Sequence, residues 1–112
     1  MSDVLEIKRG DTTPSFRARC MDGSTAVDLT TATTIKLLMK DETNTLIVNA
    51  SMIKEDQTQA ATKGYVHYDW QSADTDTAGL HRAEVEVTWS NGKVQTFPRD
   101  GYVKVLIAAD LG

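Results

Sequence analysis

From Arg82 to Trp89 charged or hydroxylic residues alternate with apolar ones: Ala83, Val85, Val87 and Trp89 in one phase, Arg82, Glu84, Glu86 and Thr88 in the other. A period of two puts successive side chains on opposite faces of a pleated strand, so this segment predicts a strand buried on one face and wet on the other. Asn91-Gly92 follows, the favoured pair for a two-residue hairpin turn in which both positions take positive φ, and Lys93 to Phe97 returns. Once this hairpin is fixed, the chain must supply further strands to cover its apolar face.

They recur along the whole sequence, whereas helical periodicity is hard to find. Val4 to Lys8 reads as a first strand. Phe16, Ala18 and Cys20 alternate with Arg17, Arg19 and Met21, and Asp22-Gly23 stops that run with a turn. Beyond Val27-Asp28-Leu29-Thr30, Ile35, Leu37 and Met39 alternate with Lys36, Leu38 and Lys40. Leu46-Ile47-Val48 reads as an edge strand or hairpin return. Lys54 to Lys63 is polar and rich in Gln, Ala and Thr, which predicts a long loop. Val66, Tyr68 and Trp70 share a face, Asp74 to Gly79 is a turn-rich connection, Pro98 to Gly101 turns, and Tyr102 to Ala108 closes the chain. Fifteen threonines support the same reading, since β-branched residues suit a pleated surface. The sum is an all-β fold, an antiparallel, immunoglobulin-like β-sandwich of seven to nine short strands, in one domain over residues 1–112.

The 12 basic and 16 acidic residues give a net charge of −4, which argues against a partner held by counterion release, so nucleic acid is not expected. No apolar run approaches the ~18 residues of a membrane span, and no membrane association is expected. Met1-Ser2-Asp3-Val4 lacks a basic stretch leading into an apolar core, so no secretory signal is predicted and synthesis in a cytoplasm is the expectation. A single cysteine excludes an internal disulfide.

Residues with chemical potential are few. His67 and His81 are the only groups whose intrinsic pKa lies near neutrality. The strand phase puts His67 opposite Tyr68 and Trp70, toward solvent, and His81 with Ala83 and Val85, at the rim of the core. Neither stands at metal-ligand spacing. Cys20 lies in phase with Phe16 and reads as a core residue. Asp74-Thr75-Asp76-Thr77-Ala78-Gly79 opens like a calcium loop, but its fifth and twelfth positions are Ala78 and Val85, so a hydrogen-bonded corner is expected instead. Asn49-Ala50-Ser51 meets the glycosylation pattern without a secretory route. Arg9-Gly10-Asp11 spells the integrin tripeptide, where a glycine after a strand also simply makes a turn. No catalytic, cofactor-binding or metal-binding residue is assigned, and the chain is expected not to be an enzyme. Trp70 and Trp89 read as core; Tyr65 and Tyr102 are the exposed aromatics.

Several phrases taken in order resemble the N-terminal domain of phage baseplate upper proteins: Lys8-Arg9-Gly10-Asp11-Thr12, Asp28-Leu29-Thr30, Gly64 to Trp70, Ala78 to Thr88, Asn91-Gly92, Thr96-Phe97-Pro98 and Gly101 to Val105. The series runs from about residue 7 to 110. His81 stands where that family tends to have an aromatic residue. The family's baseplate members continue into a fibre-like or receptor-binding region, whereas this sequence stops at Gly112. The resemblance implies a non-enzymatic structural or accessory protein of a tailed-phage or prophage virion. Such a protein would be made in the host bacterial cytoplasm and would dock in multiple copies onto other virion proteins of a symmetric capsid, neck, tail or baseplate. Edge strands, the residues before Gly10 and the Lys54–Lys63 loop would be its contacts. The alternative weighed beside it is a carbohydrate-binding β-sandwich for host-surface adhesion, which calls for clustered aromatics on one solvent face.

Overall fold

The computed structural model describes residues 4–111. Eleven strands form in chain order: β1 (Val4–Lys8), β2 (Phe16–Arg19), β3 (Met21–Asp22), β4 (Thr25–Ala26), β5 (Ala32–Lys40), β6 (Leu46–Ser51), β7 (Ile53–Lys54), β8 (Tyr65–Tyr68), β9 (Gly79–Trp89), β10 (Val94–Phe97) and β11 (Val103–Ala108). One turn of 3₁₀ helix covers Ser72–Thr75. A six-stranded sheet runs β1-β11-β9-β5-β6, with β10 continuing beside β9. The second sheet is β2-β8-β7, and β3 and β4 make a separate hairpin. The two larger sheets pack face to face as a β-sandwich.

The period-two pattern decides which face is inside. Leu37, Met39, Ala83, Val85, Val87, Val105 and Ile107 on the large sheet are buried in one core with Phe16, Val66 and Tyr68 from the small one and with Trp70, two residues beyond β8. Trp70 anchors this seam: its ring stands edge-on to Phe16 and Tyr68, with centroids 5.9 and 5.7 Å away. Such edge-to-face pairs add about 0.5–1.5 kcal/mol beyond area burial. Trp89 is only half-buried, and its indole N–H donates to Gln95 Oε1.

Three expectations need correction. Among the described residues the strands number eleven rather than seven to nine, because two-residue strands such as β3, β4 and β7 are too short to show a period. The sandwich is not purely antiparallel, since β1 pairs with β11 in parallel from Val4 opposite Lys104 to Lys8 opposite Ala108. No hairpin can join a parallel pair, and here most of the chain lies between the two strands, so nothing local announces the pairing. The Asn91-Gly92 turn has three loop residues, not two. Trp89 N–H donates to Lys93 O and Gly92 N–H to Trp89 O, and of the pair only Gly92 has positive φ (84°). Asp41 to Thr45 repeats this geometry between β5 and β6, with Asn44 taking the left-handed position at φ 68°. In both hairpins that residue lets the strands re-enter register after a type I turn.

The Lys54–Lys63 stretch is, beyond Lys54, the expected long loop, but it is tied down rather than free to serve as a contact. Gln57 is buried, its Oε1 accepting from Leu29 N–H and Gly64 N–H at 3.1 and 2.8 Å while its Nε2 donates to Glu55 O. The Arg19 guanidinium donates to Ala60 O and Lys63 O from the neighbouring strand. Met1 to Asp3, part of the segment before Gly10, lie outside the described residues. The remainder of that segment is mostly β1, built into the large sheet.

Candidate binding face

The outward face of the large sheet carries the positions left over from the core pattern. Because paired residues on neighbouring strands share a face, the register builds it row by row. One row runs Val4, Lys104, Arg82, Lys40, Leu46 across five strands. The next contains Glu84, Leu38 and Asn49, and the one beyond it Thr96, Glu86, Lys36 and Ser51. A recess of about 440 Å³ lies over these rows, lined by Lys36, Leu38, Lys40, Arg82, Glu84 and Glu86, with Asn44, Leu46, Asn49 and Tyr102 at its margins.

Arg82 is held in place there. Its guanidinium donates to Asn44 Oδ1 at 2.9 Å and lies 5.3 Å from the centre of the Tyr102 ring. The turn that puts Asn44 in the left-handed conformation thus also delivers the acceptor that orients Arg82. Asp41 fixes this turn by accepting from Thr43 N–H, Thr43 Oγ1 and Thr45 N–H, and the hydroxyl bond from Thr43 lowers its pKa. The same device, an aspartate receiving the amide and hydroxyl of a threonine two residues on, recurs at Asp28-Thr30 and Asp56-Thr58. This Asp-x-Thr spacing is visible in the sequence and marks side-chain-built turns.

The sequence-derived candidates are dispersed. His81, 1% exposed, lies beneath the large sheet rather than at the rim of the core, with Nδ1 3.0 Å from Gly79 O; its Nε2 has no partner. His67 is half-buried on the outer side of the small sheet, 3.1 Å from Glu55 Oε2. Glu55 also takes both nitrogens of a bidentate Arg17, whose hydrogen bonds hold the carboxyl below its ordinary range. Cys20 is fully buried, and desolvation pushes its thiol up to about 12. Asp74 spends its Oδ2 on the Tyr68 hydroxyl and the Gln71 amide, as a corner should. Among the described residues no group of three or more His, Cys, Asp or Glu could hold a metal ion. Gly10, within Arg9-Gly10-Asp11, donates its amide to Thr75 O, while Arg9 pairs with Asp110. Asn49 is exposed on edge strand β6.

The two tyrosines expected to be exposed do not cluster, and only Tyr102 is exposed, Tyr65 being half-buried. On the small sheet the guanidinium carbons of Arg17 and Arg19 lie 3.7 and 4.8 Å from the centre of the Tyr65 ring, and Tyr102, just before β11, lies by Arg82 of the large one. The face of Arg82 was not legible as a site beforehand, because its cations come from three separate segments and meet only through register.

No protein-family model matches the chain, and no curated protein matches it. Among solved structures it is similar to the crystal structure of CopC from Methylosinus trichosporium OB3b, at 12% identity and a TM-score of 0.57, over 99% of this chain and 89% of that one. At that identity the likeness shows the β-sandwich fold. CopC does not bear on the resemblance to baseplate domains, but the function drawn from that resemblance is corrected, because the structural likeness found is to CopC. The physical reason is that the phrases carrying the resemblance are strand alternations and turn dipeptides, which unrelated sandwiches share. The sugar-binding alternative falls with it, since Tyr65 belongs to the small sheet while Tyr102 lies beside Arg82 of the large one. What the fold and the geometry together establish is a β-sandwich with a charged, recessed outer face on its larger sheet.

Proposed function

We propose that this chain is a non-catalytic interaction module that docks a partner protein on the outer face of its six-stranded sheet. The observation that carries the reading is the recess over β5 and β9, lined by charged, amide, leucine and tyrosine side chains on a rigid hydrogen-bonded platform. Neither histidine lines that recess, and neither does the cysteine. The six strands of this sheet, at about 3.4 Å per residue and about 4.8 Å between neighbours, make a face of roughly 700 Å². That is close to the ~800 Å² each partner contributes to a standard protein interface, and larger than a small ligand needs.

A photo-crosslinking amino acid at Tyr102 or at Leu38 tests it in the cells that make the protein, with Ile53 as control. Ile53 is as exposed as Tyr102, 52% against 51%, but belongs to the other sheet. One defined protein adduct from Tyr102 and Leu38, absent from Ile53, is the expected result. Equal capture from Ile53, or none from the large sheet, overturns the reading.

A further inference from the structure

Lys104, Arg82 and Lys40 are directly opposite one another on β11, β9 and β5, three cations in a line across adjacent strands of a chain whose net charge is −4. Like charges in directly opposed cross-strand positions destabilise a sheet. Relief would be cheap, because Glu84 and Glu86 stand on the same face. Yet among the described residues none of the three cations has a carboxylate within 4.0 Å, the ion pairs there involving Arg9, Arg17, His67 and Arg99. Arg82 is also pre-oriented by Asn44 and Tyr102, which lowers the ordering cost of binding an anion. At the two ends of the row stand Val4 and Leu46, each 48% exposed.

We propose, resting on the docking face above, that this row seats an acidic segment of the partner protein, carboxylates against Lys104, Arg82 and Lys40 and apolar side chains over Val4 and Leu46. Charge complementarity selects the carboxylates and the apolar flanks select a polypeptide. A nucleic acid backbone would gain the same three cations but would bring no apolar side chains to cover the flanking valine and leucine.

The test uses the whole ¹⁵N-labelled chain at low salt with two blocked synthetic peptides, one alternating Glu with Leu and one alternating Gln with Leu. The Glu peptide should shift amides of β5, β9 and β11 around this row, and the effect should fade as salt is raised. The Gln peptide should not. Arg82→Gln and Lys104→Gln should each weaken binding roughly two- to fivefold, the range for exposed ion pairs. Both variants should stay folded, with melting temperatures equal to or above that of the parent, since repulsion has been removed. Equal shifts from both peptides overturn the acidic preference while leaving the docking face standing. Shifts by the Glu peptide centred on the small sheet, unchanged affinity in both variants, or no shift at all overturn the proposal, and the crosslinking at Tyr102 and Leu38 then judges the face by itself. A single-stranded oligonucleotide that competes for the row more strongly than the Glu peptide also overturns it.

Discussion

Replacing Gln57 by leucine should unfold the protein far more readily than a surface substitution in a polar segment would. The side chain satisfies three backbone groups at once, the amides of Leu29 and Gly64 and the carbonyl of Glu55. Leucine has nearly the same bulk but no polar atoms, so two N–H groups are left without an acceptor. Each buried orphan costs about 1–3 kcal/mol, giving about 2–6 kcal/mol before the extra apolar burial returns up to about 1. The net is on the order of 3 kcal/mol, a large share of the roughly 5–15 kcal/mol that holds a domain folded. Urea denaturation followed by tryptophan fluorescence measures it, with the midpoint falling and the slope unchanged. Amide exchange adds a local readout: Leu29 and Gly64 should lose protection even under conditions where the fold persists. A loss below about 1 kcal/mol, or undiminished protection at Gly64, would refute the argument that Gln57 pins this loop.

Gly64→Ala should destabilise by about 1–3 kcal/mol in the same assay, since φ is 84° there and a Cβ would stand 2.8 Å from Cys20 O, a backbone atom with no freedom to move. Leu37→Ala should cost about 2–5 kcal/mol and Leu38→Ala much less, because adjacent residues of β5 face the core and the recess respectively; similar losses at both would disprove the assigned faces. Cys20 should resist alkylation in the folded protein, its thiol being buried and raised to about 12, and should react only at the rate of global unfolding. Acid should weaken the fold through Asp28, Asp41, Asp56 and Glu55, all held below their ordinary values, the aspartates first by threonine hydroxyls and Glu55 first by Arg17. Such groups bind protons more readily when unfolded, so their contribution is complete above the ordinary carboxylate range of about 4 and drains away as pH falls below it. Asp41→Asn should therefore flatten the acid limb of a plot of urea midpoint against pH, and an unchanged limb would count against the hydroxyl-bonded turn.

The sequence by itself determined the strands and their faces wherever a strand was long enough to show its period. Alternation at Ile35 to Met39 and at Ala83 to Val87 matches the buried positions of β5 and β9, and Val66, Tyr68 and Trp70 are buried as one face. Backbone geometry alone links residue i to residue i+2, so this information is local. The turns were legible as turns, although Asn91-Gly92 shows that a dipeptide does not fix loop length when the flanking bonds choose a three-residue loop. Tertiary structure decided what depends on distant partners. The parallel β1–β11 pair joins the two ends of the described chain. Gln57 is buried only because Leu29 and Gly64 present two amides that need an acceptor. The row Lys104–Arg82–Lys40 exists because three strands, far apart in the chain, settle into one register. Register is chosen by burial of the opposite face, by Val105, His81, Ala83 and Met39 beneath, and the alignment of charges on the outer side follows from that choice.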